Sequence, residues 1–428
     1  MNSQVSPNYT QTTFGQITKK LVNGGTPPTE IAQFWNGNIP WITGADFTAT
    51  GISEFRRFVS EMAVAQTATN LIDQGQLLLV TRTGVGKLAI APCDIAISQD
   101  ITGVYPDTEK VDVRFLYHRM RLGVEELKKL NQGTSINGII RSDLLAYPIQ
   151  LPTLPQQRHI AEVLSTLDEA IAQTEALIAK HQQIKAGLMH DLFTRGVTPD
   201  GHLRPTREQA PDLYKESPLG WIPKEWKCRP CSQICERITV GIVIRPTQYY
   251  VKHGVPAFRS ANVRETGIDP SDFVFISQEA NNLLAKSQVR AGDILTVRTG
   301  YPGTSAVVPD EFSGANAIDI LLSRPTSEVN SFFLCYWINS SFGKGHVLRT
   351  QGGLAQQHFN VGELRDLLVA LPKPDEQRAI TERLDSMSQH IRCEESVLAK
   401  WMKQKHGLMY DLLTGRVRAP QKEAEVTL

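Results

Sequence analysis

No stretch of 18 or more consecutive apolar residues occurs in the 428-residue chain, so nothing in it reads as a membrane-spanning helix. The opening MNSQVSPNYTQTTFG has neither the basic start nor the apolar core of a secretory leader. Both absences make a soluble, cytoplasmic protein the expectation. Six cysteines are too few for a disulfide framework, although the spacing Cys228, Cys231, Cys235 raises the question of zinc. No second CxxC and no neighbouring histidine pair completes a tetrahedral ligand set, so the reading preferred is three cysteines in small apolar slots and no metal. An excess of charge is missing as well. With 45 basic against 44 acidic residues the net charge is +1, which neither supports nor excludes nucleic acid as a partner. Catalytic signatures are also lacking. TGVGK (83–87) invites a phosphate-loop reading, but Leu88 and a strand follow the lysine where that motif needs Ser or Thr and a helix. DPSDF (269–273) does not fit the Asn/Asp-Pro-Pro-aromatic signature of an adenine methyltransferase, and neither HExxH nor GxSxG occurs.

What the chain does have is a repeat. Residues 151–197 and 371–417 align without a gap at an offset of 220 and are identical at 19 of 47 positions. A repeat half the protein long describes a duplicated molecule and not a solenoid. Within it, apolar residues recur at alternating spacings of three and four. The slots run Ile160, Leu164, Leu167, Ile171, Thr174, Ile178, His181, Lys185, Leu188, Leu192, and again Ile380, Leu384, Met387, Ile391, Glu394, Leu398, Trp401, Lys405, Leu408, Leu412. A period of 3.5 predicts left-handed coiled-coil helices over 155–194 and 375–414, each about 60 Å long at ~1.5 Å per residue. Polar slots at matching points, Lys185 with Lys405 and Thr174 with Glu394, favour pairing of the two helices with each other over two independent bundle helices.

Before the first repeat, residues 1–20 are polar and read as an arm or a short helix. Strands are expected at 39–43, 76–80 and 87–90, with TRTGVG (81–86) as a hairpin turn between the last two, a helix over 111–130 and a closing strand before residue 152. Residues 1–150 thus form an α+β domain. The segment 198–217 holds prolines and little apolar content and reads as a linker. From 218 the landmarks of the first half return at an offset near 216. GVPAFRSANV (254–263) answers NIPWITGADF, GDILTVRTGYPGTSAVV (292–308) answers GQLLLVTRTGVGKLAI, and QGG (351–353) answers QGT (132–134). Loops and turns match while the intervening residues have diverged, as expected of one scaffold carrying two different surfaces.

The tripeptide Arg-Thr-Gly occurs at Arg82-Thr83-Gly84 and Arg298-Thr299-Gly300. An arginine at a glycine turn suits a guanine edge or a phosphate; it equally suits pinning its own turn through carbonyls. Lys87 and Tyr301 flank these turns, and Gln132 and Gln351 stand in the QGT and QGG segments. After the equivalent short strands come Trp41, Thr43 and Asp46 in one half and Phe258, Arg259, Ser260 and Asn262 in the other. If these loops read bases, the two halves read different ones.

The GGTPPTEIAQFWNGNIPWITGADF segment, the paired LPxxxxQRxI helices ending in GLMxDL, and the PLGWIPKEW re-entry resemble the specificity subunit of type I restriction-modification systems. The resemblance covers nearly the whole chain and implies two globular α/β target-recognition domains separated by two long helices in an antiparallel coiled coil, with a pseudo-twofold relation. Mapped on this sequence, residues 1–150 and 218–370 become the recognition domains. Residues 151–197 and 371–417 become the helical regions, with 418–428 as a tail. The resemblance further implies a non-catalytic subunit that binds double-stranded DNA in two half-sites and docks two modification subunits. Restriction subunits join these, and S-adenosylmethionine, ATP and magnesium are expected on the partners, with no cofactor on this chain. Residues identical between the repeats outside the apolar slots are the candidates for docking: Gln157 and Gln377, Arg158 and Arg378, Met189 and Met409, Asp191 and Asp411. Capping and orienting the helix ends is the competing reading for them. One departure is that Gly241-Ile-Val-Ile stands where the first half has Gly24-Gly-Thr-Pro. Two further functional classes remain open: an assembly adaptor that does not read DNA, and an enzyme with an unrecognised site.

Overall fold

The computed structural model describes residues 9–48, 51–52, 54–129, 138–350 and 358–417. The chain divides into two compact units, Met1–Leu177 with Glu395–Leu428, and Ile178–Glu394. Each unit therefore takes part of both long helices, which run Leu154–Thr194 and Pro374–Leu413.

In the first unit an antiparallel sheet has the strand order Thr18–Asn23, Ile101–Pro106, Leu77–Val80, Leu88–Ile90. A second sheet runs Phe58–Val59, Ile39–Ile42, Ile95–Ile97, Asn70–Ile72, with its central pair parallel. The all-apolar run Leu77–Val80 is buried on both faces, as its lack of alternation requires. Where an arm or helix was expected at the start, Thr10–Thr13 pairs antiparallel with Pro148–Leu151, and Phe14 and Ile17 beyond it are buried. Two apolar residues in a polar stretch suffice to fix that segment. The helix expected over 111–130 is interrupted at Gly123 into Val113–Leu122 and Val124–Lys129.

The second unit repeats this plan. Its sheets are ordered Cys235–Val240, Ile320–Pro325, Ile294–Val297, Ser305–Val307 and Tyr250–Val251, Val274–Ile276, Val255–Phe258, Asn316–Ala317. Segment 198–217, expected to be a linker, is ordered. Tyr214–Ser217 forms a hairpin with Gly220–Pro223, and Arg204 is buried against Glu376. Glu376 also accepts from the Trp226 indole at 3.0 Å and the Val197 amide at 2.9 Å. Prolines thus shape this segment without freeing it. Cys231 and Cys235 lie in the core of the same unit, and burial pushes the Cys231 thiol well up and that of Cys235 to about 12.

The long helices supply core to both units. In the first, Ile160 and Leu164 pack with Leu412, Leu413, Phe115 and Met120; in the second, Leu192 and Phe193 pack with Ile380, Leu384, Phe333 and Trp337. The start of one helix meets the end of the other in each case, so the helices run antiparallel. Every one of the twenty 3,4 slots is buried or half-buried. The polar slots find partners inside the seam. Lys405 is ion-paired with Asp168 in the first unit, and His181 Nδ1 lies 2.9 Å from Glu394 in the second.

Candidate nucleic-acid interface

The turn between Leu77–Val80 and Leu88–Ile90 is closed by Val80 N–H to Lys87 O at 2.9 Å and Gly86 N–H to Val80 O at 3.1 Å. In the second unit Val297 N–H bonds Thr304 O at 2.8 Å and Gly303 N–H bonds Val297 O at 3.0 Å. Gly86 and Gly303 are therefore equivalent, with φ of 93° and 88°. The structural offset is 217, one residue more than the offset at which the two Arg-Thr-Gly triplets coincide. Thr299 thus occupies the place of Arg82, and Arg298 that of Thr81. A third bond agrees: the Thr81 carbonyl accepts from Ile139 N–H at 2.7 Å, and the Arg298 carbonyl from Phe359 N–H at 2.9 Å.

The two arginines accordingly differ in role. Arg298 Nη1 meets Asp319 Oδ1 at 2.5 Å, and its side chain is only 18% exposed. It pins its own turn to the neighbouring strand, which removes it from the expected readers. Arg82 is exposed, and among the described residues its guanidinium has no hydrogen-bond or ion-pair partner. Thr83 and Gly84 are exposed beside it. Lys87 is exposed too, but its ammonium donates to Gly44 O at 2.8 Å and ties the turn to the next loop. In the second unit Thr299 is half-buried, Gly300 exposed, and Tyr301 projects with 81% of its surface free.

The loops after the short strands are built alike. Asp46 Oδ2 accepts from the Thr43 amide at 2.8 Å, closing a 3-10 turn over Gly44–Asp46. Asn262 Oδ1 accepts from the Arg259 amide at the same 2.8 Å over Ser260–Asn262. Asp46 and Asn262 are both buried and spent on these turns, and neither is free for a base. Burial alone pushes the Asp46 carboxyl up, but the Thr43 amide and hydroxyl and the Arg56 guanidinium outweigh it and hold it below its ordinary value. Trp41 is likewise core: its indole donates to Gly25 O at 3.2 Å, and Arg57 stacks over the ring at 4.5 Å. Thr43 caps the turn, and Arg259 donates to Asp272 Oδ2 at 2.7 Å. The shared pattern seen in the sequence here records a common turn, with readout left to residues around it. Gln132 and Gln351 lie outside the described residues.

Gly24 and Gly241 are a further matched pair. A Cβ on Gly24 would sit 2.1 Å from Ile97 O, and one on Gly241 2.3 Å from Ala317 O. Only glycine allows the chain so close to that carbonyl. The GGTP departure thus keeps the glycine the scaffold needs and changes the three residues after it.

A model of the type I restriction modification DNA specificity domain matches residues 8–183. The type I restriction enzyme MjaVIII specificity subunit of Methanocaldococcus jannaschii is 22% identical over 406 residues, spanning 93% of this chain and 91% of the relative. Residues 8–183 thus carry a type I restriction modification DNA specificity domain, and nearly the whole chain is similar to type I specificity subunits. The EcoR124I/EcoR124II specificity subunit of Escherichia coli is 30% identical over 163 residues, 36% of this chain and 40% of that subunit. Among solved structures, a type I restriction-modification S subunit from M. genitalium shares the fold, with TM-score 0.61 and 15% identity over 96% of this chain and 97% of the other.

The residues repeated at the helix ends divide in two. Gln157 and Gln377 are buried and spend both ends of their amides inside the fold. Gln157 donates to the carbonyls of Lys110 and Pro152 and accepts from Asp112 N–H at 2.9 Å; Gln377 does the same with Glu328, Pro372 and Asn330 N–H at 2.8 Å. Asp112 and Asn330 in turn cap the helices Val113–Leu122 and Ser331–Asn339. These glutamines lock a long helix to a short one, and no partner can reach them. Met189 and Met409 are half-buried against the cores, and Asp191 and Asp411 stand near Arg195 and Arg416. Arg158 and Arg378 are exposed, the latter paired with Asp375.

Sequence reasoning overlooked Arg141. It lies on the rim of a cavity of about 310 Å³ that Arg82 also lines. The available signal was an arginine at a position that is Val361 in the second half.

Proposed function

We propose that this chain is the DNA sequence-reading subunit of a type I restriction-modification assembly, each unit reading one half of a bipartite target. What carries the reading is one frame used twice with different surfaces. The turns, the caps at Asp46 and Asn262, and the close glycines at 24 and 241 correspond, whereas Arg82, Thr299 and Tyr301 occupy the matching turns with different chemistry. A relative spanning 93% of the chain is named a specificity subunit, which supports it. On this reading Arg82, Thr83, Gly84 and Lys87 face DNA from the first unit, and Thr299, Gly300 and Tyr301 from the second. The long helices set half-site spacing and dock two modification subunits through Arg158, Arg378, Met189, Met409, Asp191 and Asp411. Restriction subunits join through that assembly in the cytoplasm. Methyl transfer with S-adenosylmethionine and ATP- and magnesium-driven steps belong to those partners, and the chain alone transfers no methyl group. Mapping methylated bases in genomic DNA from the source organism should return a split, asymmetric motif; an undivided motif would refute the reading.

The net charge of +1 favours a second reading, an adaptor without direct DNA contact, because tight DNA binding draws on several phosphate contacts. A salt-dependent mobility shift, with and without the modification subunit, separates the two. Among the described residues no helix is long and apolar enough to cross a membrane.

A further inference from the structure

The cavity beside the first turn has a lining whose chemistry is one-sided. Arg82 and Arg141 both line it, both are exposed, and among the described residues neither guanidinium has a hydrogen-bond or ion-pair partner. No acid is among the described residues lining it. On its floor the hydroxyls of Thr81 and Thr102 lie 3.1 Å apart, and Thr102 donates onward to Asn23 Oδ1 at 3.4 Å. Gln99 Oε1 accepts from Thr26. The side-chain acceptors are therefore engaged within the protein, while the amide N–H groups of Asn23 and Gln99 and two guanidinium forks remain as donors. A concave site with surplus donors and two uncompensated positive charges suits an anion bearing several acceptor oxygens.

We propose that this cavity is a two-arginine clamp for a single DNA backbone phosphate, with Arg82 and Arg141 sharing it. The inference rests on the DNA-reading function above and decides what Arg82 contacts. An arginine reading guanine must project from the protein into a receding groove, whereas a backbone phosphate protrudes and enters a concavity. Gly138 holds the geometry: a Cβ there would stand 3.0 Å from Thr81 O and 3.4 Å from Arg82 Cγ. The second unit lacks the clamp. Strand and helix correspondences put Val240, Arg298, Thr299, Leu321 and Val361 where the first has Asn23, Thr81, Arg82, Thr102 and Arg141. The one charge remaining there is neutralised by Asp319. The first unit therefore anchors the duplex by charge, and the second holds it by other means.

The test is the dependence of duplex affinity on salt, measured by anisotropy on the full chain assembled with its modification subunits and on the chain alone. Each phosphate contact contributes about 0.9 to the slope of log affinity against log salt. Arg82→Gln and Arg141→Gln should each flatten the slope by about 0.9, so that each variant loses roughly 3-fold less affinity than the unaltered protein between 50 and 200 mM salt. Because one phosphate is shared, the double variant should be no flatter than either single one, and the change should be the same on every duplex sequence. Arg82→Lys should keep the slope. Unchanged slopes, a double variant flattened twice as much, or an effect confined to one sequence would overturn the clamp while leaving DNA reading intact. Absence of salt-dependent duplex binding by the unaltered protein in both settings would overturn both.

Discussion

Gln157 and Gln377 show what identity between two copies of a repeat means at a single residue. Each fills a buried slot with three hydrogen bonds, and each holds the cap of a neighbouring helix. Replacing either by alanine strands a buried amide N–H and two carbonyls, at a cost of about 1–3 kcal/mol for each group left unsatisfied. Gln157→Ala and Gln377→Ala should therefore lower the midpoint of urea unfolding, with little effect on partner affinity at temperatures where the chain stays folded. Unchanged stability with weakened assembly would restore the docking role. From the sequence, a glutamine kept in both repeats looks the same whether it serves a partner or the fold, because burial of its amide depends on a short helix distant in the chain. Asp46 and Asn262 concealed their role similarly: both come after apolar strands, and both turn out to close a 3-10 turn.

The long helices were the most legible elements. Their 3.5-residue period alone predicts which face is buried, and the slots Ile160 to Leu192 and Ile380 to Leu412 are those in contact. What periodicity does not convey is the polar layer that crosses the seam. His118 stands in it on the first unit's short helix, with Nδ1 3.9 Å from Asp168 and Nε2 3.4 Å from Ser165; Lys405, Arg121 and Arg114 are the other charges acting on it. Burial, supported by those three cations and opposed by Asp168, pulls the imidazole down to about 4. The unfolded chain binds this proton near pH 6.5 and the folded chain only near pH 4, so the folded state is favoured fully above 6.5 and loses that advantage as pH falls toward 4. Over that window the change is on the order of 3 kcal/mol at 1.36 kcal/mol per pH unit. His118→Phe should flatten the stability of the protein between pH 6.5 and 4, and an unchanged pH profile would place the titration elsewhere. Seven residues removed from both long helices at matched slots, about 10 Å of rise, should shorten the recognised gap by about three base pairs, read from the methylation motif. A gap of constant length would refute helix-set spacing.

At the scale of the whole molecule, duplication was plain from the offset of 220 between the helices, but the loops carry two further offsets, 216 at the short strands and 217 at the turn. A single inserted residue thus made two Arg-Thr-Gly triplets look equivalent when they are one position out of phase. Strand pairing resolved this, since Val80 and Val297 hold the same hydrogen bonds and the residues after them run in step. The clamp formed by Arg82 and Arg141 was beyond the reach of the sequence for a related reason: its walls come from four separate segments between Leu21 and Leu144 that only the fold brings together. Two units on one frame, differing in surface, imply that the halves of the target are read independently. This is measured most directly by the methylation motif the assembly writes when residues 218–370 are exchanged for the corresponding domain of a relative with a different target. One half of the motif should change while the other half and the gap stay as they were; a change in both halves, or no change in either, would contradict two independent readers.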